Sequence, residues 1–215
     1  MEIENKLFND DCIKILRKLG DKSVDCILTD VPYGINMDRG HANGRLFYSS
    51  QYKGKWDKKL SKEYFDEMLR VGKKVFIFGA NYYTDYLPQN NHWIVWDKIG
   101  ELDRKNFIAS DCELIYTNIK NKNVVKKYFV LQNGFIAEEK ERYHPTQKPV
   151  KLLKNIILDY TNENELILDC FMGSGSTIIA SIETGRRFCG IEKNKYYYDI
   201  AIKRIKDRFG LFVNH

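Results

Sequence analysis

The stretch LILDCFMGSGST, residues 166–177, decides the fold. Leu166 to Leu168 read as a buried strand that stops at Asp169, Gly173 and Gly175 as a tight turn, and the residues from about Thr177 as a helix. The next apolar run, Phe188 to Ile191, reads as a second strand and ends at Glu192. Strand, glycine turn, helix and strand make a parallel βαβ unit. Working outward, DDCIKILRKL places Ile13, Leu16 and Leu19 on one helical face, and VDCILT (24–29) is a strand ending at Asp30. Ser61 caps a helix through SKEYFDEMLRVG. Strands follow at Lys74–Phe78, Trp93–Trp96 and Leu114–Thr117. Pro149 opens a helix to Leu158, and a last helix spans Lys195 to Arg208. This alternation predicts an α/β fold, a mostly parallel sheet with helices on both faces and ligands at the carboxyl ends of the strands.

The composition narrows the function classes. A chain of 215 residues fits one domain, 1–215, and 43% hydrophobic with 13% aromatic residues excludes wholesale disorder. With 30% charged residues and no long apolar run, no membrane span is expected, and the first twenty residues lack a secretory h-region, so a cytoplasmic location is expected. Five scattered cysteines without a CxxC pair read as reduced thiols, with no metal site. A net charge of +6 suits a polyanionic partner and decides nothing alone.

Three segments at strand ends or helix starts carry chemistry. In the first, Gly173 and Gly175 let backbone N–H groups approach a ligand. Glu192 lies 17 residues after Gly175, near the ~20 expected of an acid that grips ribose hydroxyls. Ile178 stands where a dinucleotide fingerprint has its third glycine, so a phosphate-free nucleoside cofactor fits better. S-adenosylmethionine is such a cofactor, and Asp169 would favour its sulfonium. Two glycines that merely start a helix remain the bland alternative.

The second segment is TDVPYG, 29–34. Asp30 offers an anionic acceptor, Pro32 stiffens the turn, and Tyr33 offers a ring for stacking. An exocyclic amine on a nucleobase is a poor nucleophile. Accepting its hydrogens pulls the nitrogen toward sp³, and a carboxylate with a pKa near ~3.9 takes the proton only after the nitrogen has become cationic. An Asp-Pro turn with a surface tyrosine fits the same residues. In the third segment, HPTQKP at 144–149, His144, Thr146 and Lys148 put polar groups beside a helix N-terminus where a carboxylate could sit, or simply cap that helix.

Together DVPYG, HPTQKP and DCFMGSGST with FCGIEKNKYYYDIAIKRI resemble the β-class DNA amino-methyltransferases, which modify adenine N6 or cytosine N4. The resemblance covers about Phe8 to Arg208. It implies the seven-stranded-type methyltransferase sheet in circularly permuted order, with the catalytic motif before the cofactor motif. It also implies that Asp30, Val31, Pro32 and Tyr33 are the catalytic [D/N/S]PPY motif, with valine at its second position, a residue the family uses through its carbonyl. By the same resemblance Phe171, Gly173 and Gly175 line the S-adenosylmethionine site with Asp169 and Thr177 nearby, Glu192 takes the ribose, and His144, Thr146 and Lys148 flank the methionine end. WDK (96–98) and CELIYT (112–117) match weaker family segments. Aspartate at position 30 favours adenine N6 over cytosine N4. A catalytically inactive DNA-binding regulator, an RNA substrate and a nucleotide-dependent oxidoreductase are the alternatives.

The expected partner is double-stranded DNA, from which the target base must be flipped. A polar loop at 35–60, expected to be mobile, interleaves Arg39, Arg45, Lys53 and Lys55 with Trp56, which suits phosphate contacts. A short insertion, 118–143, occupies the place of target recognition and brings Lys126 and Lys127. Arg186, Arg187 and the basic positions of the last helix, Arg204 included, read as a solvated face. A homodimer is compatible with the family.

Overall fold

The computed structural model describes residues 1–35, 57–101, 110–120, 124–132, 141, 143–144 and 146–210, together with the backbone of 41–42, 45–46, 133 and 136–137. In chain order the elements are β1 (Lys6–Phe8), α1 (Cys12–Leu16), β2 (Val24–Asp30), β3 (His41–Ala42), β4 (Arg45–Leu46), α2 (Lys62–Val71) and β5 (Gly72–Phe78). They continue as β6 (Trp93–Asp97), β7 (Cys112–Thr117), β8 (Lys126–Phe129), β9 (Gln132–Asn133), β10 (Ile136–Ala137), α3 (Val150–Tyr160), β11 (Leu166–Asp169), α4 (Ser176–Glu183), β12 (Arg187–Ile191) and α5 (Lys195–Phe209).

Eight strands form one sheet in the order β1-β12-β11-β2-β5-β7-β6-β8. The pairs from β1 to β5 are parallel, as is β6 with β8, while β7 runs antiparallel to both its neighbours. The sheet is thus mostly parallel, as expected, with one strand more than the seven-stranded pattern. Lys6–Phe8 is too short and too mixed in polarity to show in the sequence. It is a strand because β12 offers it an edge, with Leu7 opposite Gly190.

Period-2 alternation sends each strand's side chains into two apolar layers. Cys26, Leu28, Phe76, Phe78 and Ile167 face Leu152, Leu153 and Ile156 of α3, Ile178 and Ile179 of α4, and Ile205 of α5. Ile27, Val75, Ile77, Leu166 and Leu168 face Ile15 and Leu16 of α1 and Phe65, Met68 and Val71 of α2. Buried on both sides, β2 and β5 read as continuous apolar runs. Each fully buried side chain of the Phe65 or Met68 kind contributes about 2 kcal/mol of transfer free energy.

Caps fix the helix ends. Asp11 accepts from the Ile13 N–H at 3.3 Å and Asn194 from the Tyr196 N–H at 3.0 Å. The helix expected over residues 10–19 is only the five residues of α1, because past Arg17 the bonds tighten to i→i+3, from the Lys18 N–H to the Ile15 carbonyl and from the Leu19 N–H to the Leu16 carbonyl. Pro149 is the cap of α3 rather than its first residue.

The strand order places the ligand site. From β2 the sheet grows one way to β5, and from β11 the other way to β12, so the connections diverge between β2 and β11. A crevice opens at the carboxyl ends of strands where connections diverge in this way. Asp30 ends β2 and Asp169 ends β11.

Candidate active site

Three carboxylates stand side by side at this edge: Asp30 at the end of β2, Asp169 at the end of β11 and Glu192 one residue past β12. Asp169 accepts from the Thr29 hydroxyl at 2.7 Å and the Phe171 N–H at 3.0 Å. Burial pushes its pKa up to about 6, against the pull of the Thr177 and Thr29 hydroxyls. Glu192 accepts from the Gly173 N–H at 3.0 Å and the Asn194 N–H at 2.7 Å. Burial lifts it to about 7 in spite of those bonds.

The glycine turn needs its glycines. Gly173 and Gly175 have φ of +50° and +84°, and a Cβ on Gly175 would lie 3.1 Å from that of Ala201 in α5. The His144 ring packs edge-on against Tyr197 at 4.3 Å, and its Nδ1 accepts from the Thr146 N–H at 3.2 Å. Burial, aided by the Lys148 charge, lowers the His144 pKa to about 3, so its imidazole is neutral.

Asp30 sits in a connected ionic network. Lys148 Nζ lies 2.5 Å from its Oδ2, and the Tyr33 hydroxyl 3.0 Å from its Oδ1. Glu113 of β7 receives the same two donors, Tyr33 at 3.1 Å and Lys148 at 3.3 Å, and pairs with Lys98 at 2.5 Å. Burial and the Glu113 charge raise the Asp30 pKa while Lys148 and Tyr33 draw it back. Burial opposes the charge of Glu113 too, yet Lys148 and Lys98 outweigh it and hold the group down to about 2. Burial likewise works against the Lys148 cation and is overcome by Asp30 and Glu113, so its pKa is raised.

The turn after β2 is braced from outside. Val31 is buried in the α1–α2 layer, and the Tyr83 hydroxyl donates to the Pro32 carbonyl at 2.5 Å. These contacts restrain the turn where the family pattern has a second proline. The Tyr33 ring stacks on Tyr82 at 4.9 Å and 23°, so one face already has a partner. Gly79 lies so close to Tyr33 that an added Cβ would fall 2.0 Å from its Cε1.

A cavity of about 510 Å³ joins these parts, a volume typical of small-molecule sites. Asp30, Val31, Pro32, His144, Thr146, Lys148, Asp169, Phe171, Gly173, Thr177 and Glu192 all line it, and Tyr33 and Gly175 stand outside the lining. Its walls hold five carboxylates, Asp10, Asp11, Asp30, Asp169 and Glu192, and four lysines, Lys58, Lys59, Lys148 and Lys193, of which Lys148 is paired with Asp30 and Lys193 with Asp11. The acids at the strand ends suit ribose hydroxyls and a sulfonium.

Some sequence expectations land elsewhere. Lys148, expected at the cofactor's methionine end, lines the cavity beside His144 and Thr146 and also contacts the Asp30 carboxylate. Arg204 is not a solvated residue: its guanidinium donates to the Ser174 carbonyl at 2.6 Å and stacks on Tyr143 at 4.5 Å, tying α5 to the glycine turn. Arg186 is buried and donates to the Thr161 carbonyl at 2.6 Å. Helical polarity alone cannot foresee such inward reach of long side chains. Lys126 pairs with Asp159 at 2.6 Å and Lys127 with Asp97 at 3.2 Å. Arg39, Lys53, Lys55 and Trp56 lie outside the described residues, and Arg45 is described only as backbone of β4. Sequence reasoning gave no role to Lys98, Glu113, Gly79 or Tyr82. The only signal for the first two was the weak likeness of WDK and CELIYT. No helix among the described residues is long and apolar enough to cross a membrane.

Residues 90–203 match the N6/N4 methyltransferase family model, described as DNA methylase. The chain is 28% identical to the type II methyltransferase M.HpaI of Haemophilus parainfluenzae, over 98% of this chain and 77% of that protein. It is 31% identical to the type II methyltransferase M2.DpnII of Streptococcus pneumoniae, over 93% of this chain and 89% of that one. Among solved structures, M1.HpyAVI in complex with SAM superposes with a TM-score of 0.60 at 23% identity, over 93% of this chain and 98% of that chain. The cytosine-N4-specific PvuII DNA methyltransferase does so with 0.61 at 12%, over 97% and 90%. The two structures attest the fold, and the family match and sequence relatives carry the assignment: this chain belongs to the N6/N4 DNA methylases, the family of DNA amino-methyltransferases.

Proposed function

We propose that the protein transfers a methyl group from S-adenosylmethionine to the exocyclic amino group of a base flipped out of double-stranded DNA, at adenine N6 rather than cytosine N4. The observation that carries this reading is the shared cavity, in which Asp30, Val31 and Pro32 of the turn after β2 line the same space as Asp169, Gly173 and Glu192. Bound there, S-adenosylmethionine supplies an electrophilic methyl on a positively charged sulfur. Glu192 would hold the ribose hydroxyls, the Gly173 backbone would allow close approach, and Asp169 would favour the positive sulfur.

Asp30 accepts one amino hydrogen of the base and the Val31 carbonyl the other, which localises the nitrogen lone pair toward the methyl. As the N–C bond forms, the methyl–sulfur bond would break with its electron pair left on sulfur as a neutral thioether; the methylated amine is then a far stronger acid than a carboxylic acid, so its proton passes to Asp30. Tyr33 stands outside the cavity lining and one face of its ring is taken by Tyr82, so only its other face is left for a base. His144 stays neutral near the methionine end and adds no charge there. Lys53, Lys55 and the neighbouring basic positions would hold phosphates, and no metal takes part, so activity should persist in EDTA.

Asp30→Ala should abolish transfer of labelled methyl to unmethylated DNA while calorimetry still registers cofactor binding. Turnover by that variant would remove Asp30 from its role. Methylating a defined genome in vitro and sequencing it with base-modification detection decides between adenine and cytosine. No label on any base would turn the reading toward a DNA-binding regulator.

A further inference from the structure

Glu113 has no part in the chemistry proposed above, yet it is the third corner of the arrangement around Asp30. It comes from β7, separated from β2 by β5 in the sheet, and its side chain is 15% exposed. The two groups that touch the Asp30 carboxylate, the Lys148 ammonium and the Tyr33 hydroxyl, each also touch Glu113. Lys98, only 12% exposed, anchors Glu113 from the other side at 2.5 Å.

A carboxylate held by one cation and one hydroxyl has a definite orientation only if those donors are themselves held. The Tyr33 hydroxyl has a single proton and two acceptors at nearly equal distance. Lys148, bound to Asp30 alone, would neutralise it as an ordinary ion pair. The second acid divides that cation between two anions and leaves Asp30 more basic than a simple pair would be.

We propose that Glu113 is a positioning residue that sets the orientation and proton affinity of Asp30, acting through Lys148 and Tyr33. The proposal rests on Asp30 being the proton acceptor of methyl transfer. Four titratable groups face Asp30: Lys148 ahead of α3, Glu113 on β7, Tyr33 on its own turn and Asp169 at the end of β11. The first two set its local charge. Burial raises the Asp30 pKa and Glu113 adds to the rise, and Glu113 itself is ionised at any working pH.

The two charges make predictions of opposite sign. In Glu113→Gln a like charge is lost and Lys148 serves Asp30 alone, so the acid limb of kcat/KM should move to lower pH by about one unit. In Lys148→Met the counter-charge is lost and the limb should move to higher pH. A residue that only supported the fold would lower the melting temperature and the active fraction and leave the limb in place. Limbs that stay fixed, or move in the same direction, overturn the proposal. Should Glu113→Gln fail to fold, Lys98→Met decides: it strips Glu113 of its second cation, draws Lys148 toward Glu113 and should move the limb to higher pH, and an unmoved or lowered limb contradicts the scheme. Asp30→Asn runs beside both: full turnover by that variant would refute Asp30 as acceptor, whereas a dead Asp30→Asn with unmoved limbs refutes only the role of Glu113.

Discussion

Glu192 and His144 are both displaced from their ordinary ionisation by burial, and in opposite senses for stability. Glu192 folds with a pKa of about 7, above its ordinary 4.5. Its contribution is therefore full below 4.5 and fades as pH rises toward 7, because the folded state binds the extra proton. His144 folds with a pKa of about 3, below its ordinary 6.5, so its share is present above 6.5 and is lost as pH falls toward 3. The ligand-binding consequence falls on Glu192. Hydroxyl groups donating to it favour the anion, so S-adenosylmethionine binding near pH 6.5 should release a proton. Calorimetry in buffers of different ionisation enthalpy reads this release directly. A heat that does not depend on buffer, or an unchanged release in Glu192→Gln, would contradict the ribose role. The sequence made Asp30 and Glu192 legible as acids at strand ends. It gave no sign that Lys148 would reach Asp30, because 118 residues separate the two.

At the scale of the element, the site depends on how closely strand ends and turns approach. Gly79 leaves β5 with φ +69° directly against the Tyr33 ring. Gly79→Ala should displace that ring and lower kcat by roughly 10²-fold, the penalty typical of an ångström of misplacement. Thermal unfolding should show that variant still folded. Gly175→Ala acts differently, through a left-handed conformation at the start of α4 and a tight approach to α5. It should lower stability by about 1–2 kcal/mol, read by denaturant titration. A Gly175→Ala protein as stable as the parent would show that the turn relaxes freely. The pattern of elements was legible from periodicity, and its misreadings include β1, α1 and β8, a strand of the main sheet inside the segment read as a recognition insertion. All three are short, and the two strands exist because a neighbour offers them an edge, β12 to β1 and β6 to β8.

For the molecule as a whole, charge and topology divide the labour. Each phosphate neutralised on DNA contributes about −0.9 to the slope of log Kobs against log salt. Lys53→Ala and Lys55→Ala should each flatten that slope by about 0.9 if they hold phosphates. Lys126→Ala should leave it nearly unchanged, because Asp159 already holds that ammonium at 2.6 Å. Equal flattening by all three would make Lys126 a phosphate contact despite its pair. The sequence by itself determined the α/β class, the apolar strands, the glycine turn and the family, since these follow from local patterning and from motifs read along the chain. Only the tertiary structure decided that β2 and β11 lie side by side, that Asp30 and Glu113 share Lys148, and that Tyr82 covers one face of Tyr33. The physical reason is that carboxylates, ammonium groups and rings act over a few ångströms in a buried setting, and their neighbours there come from segments distant along the chain.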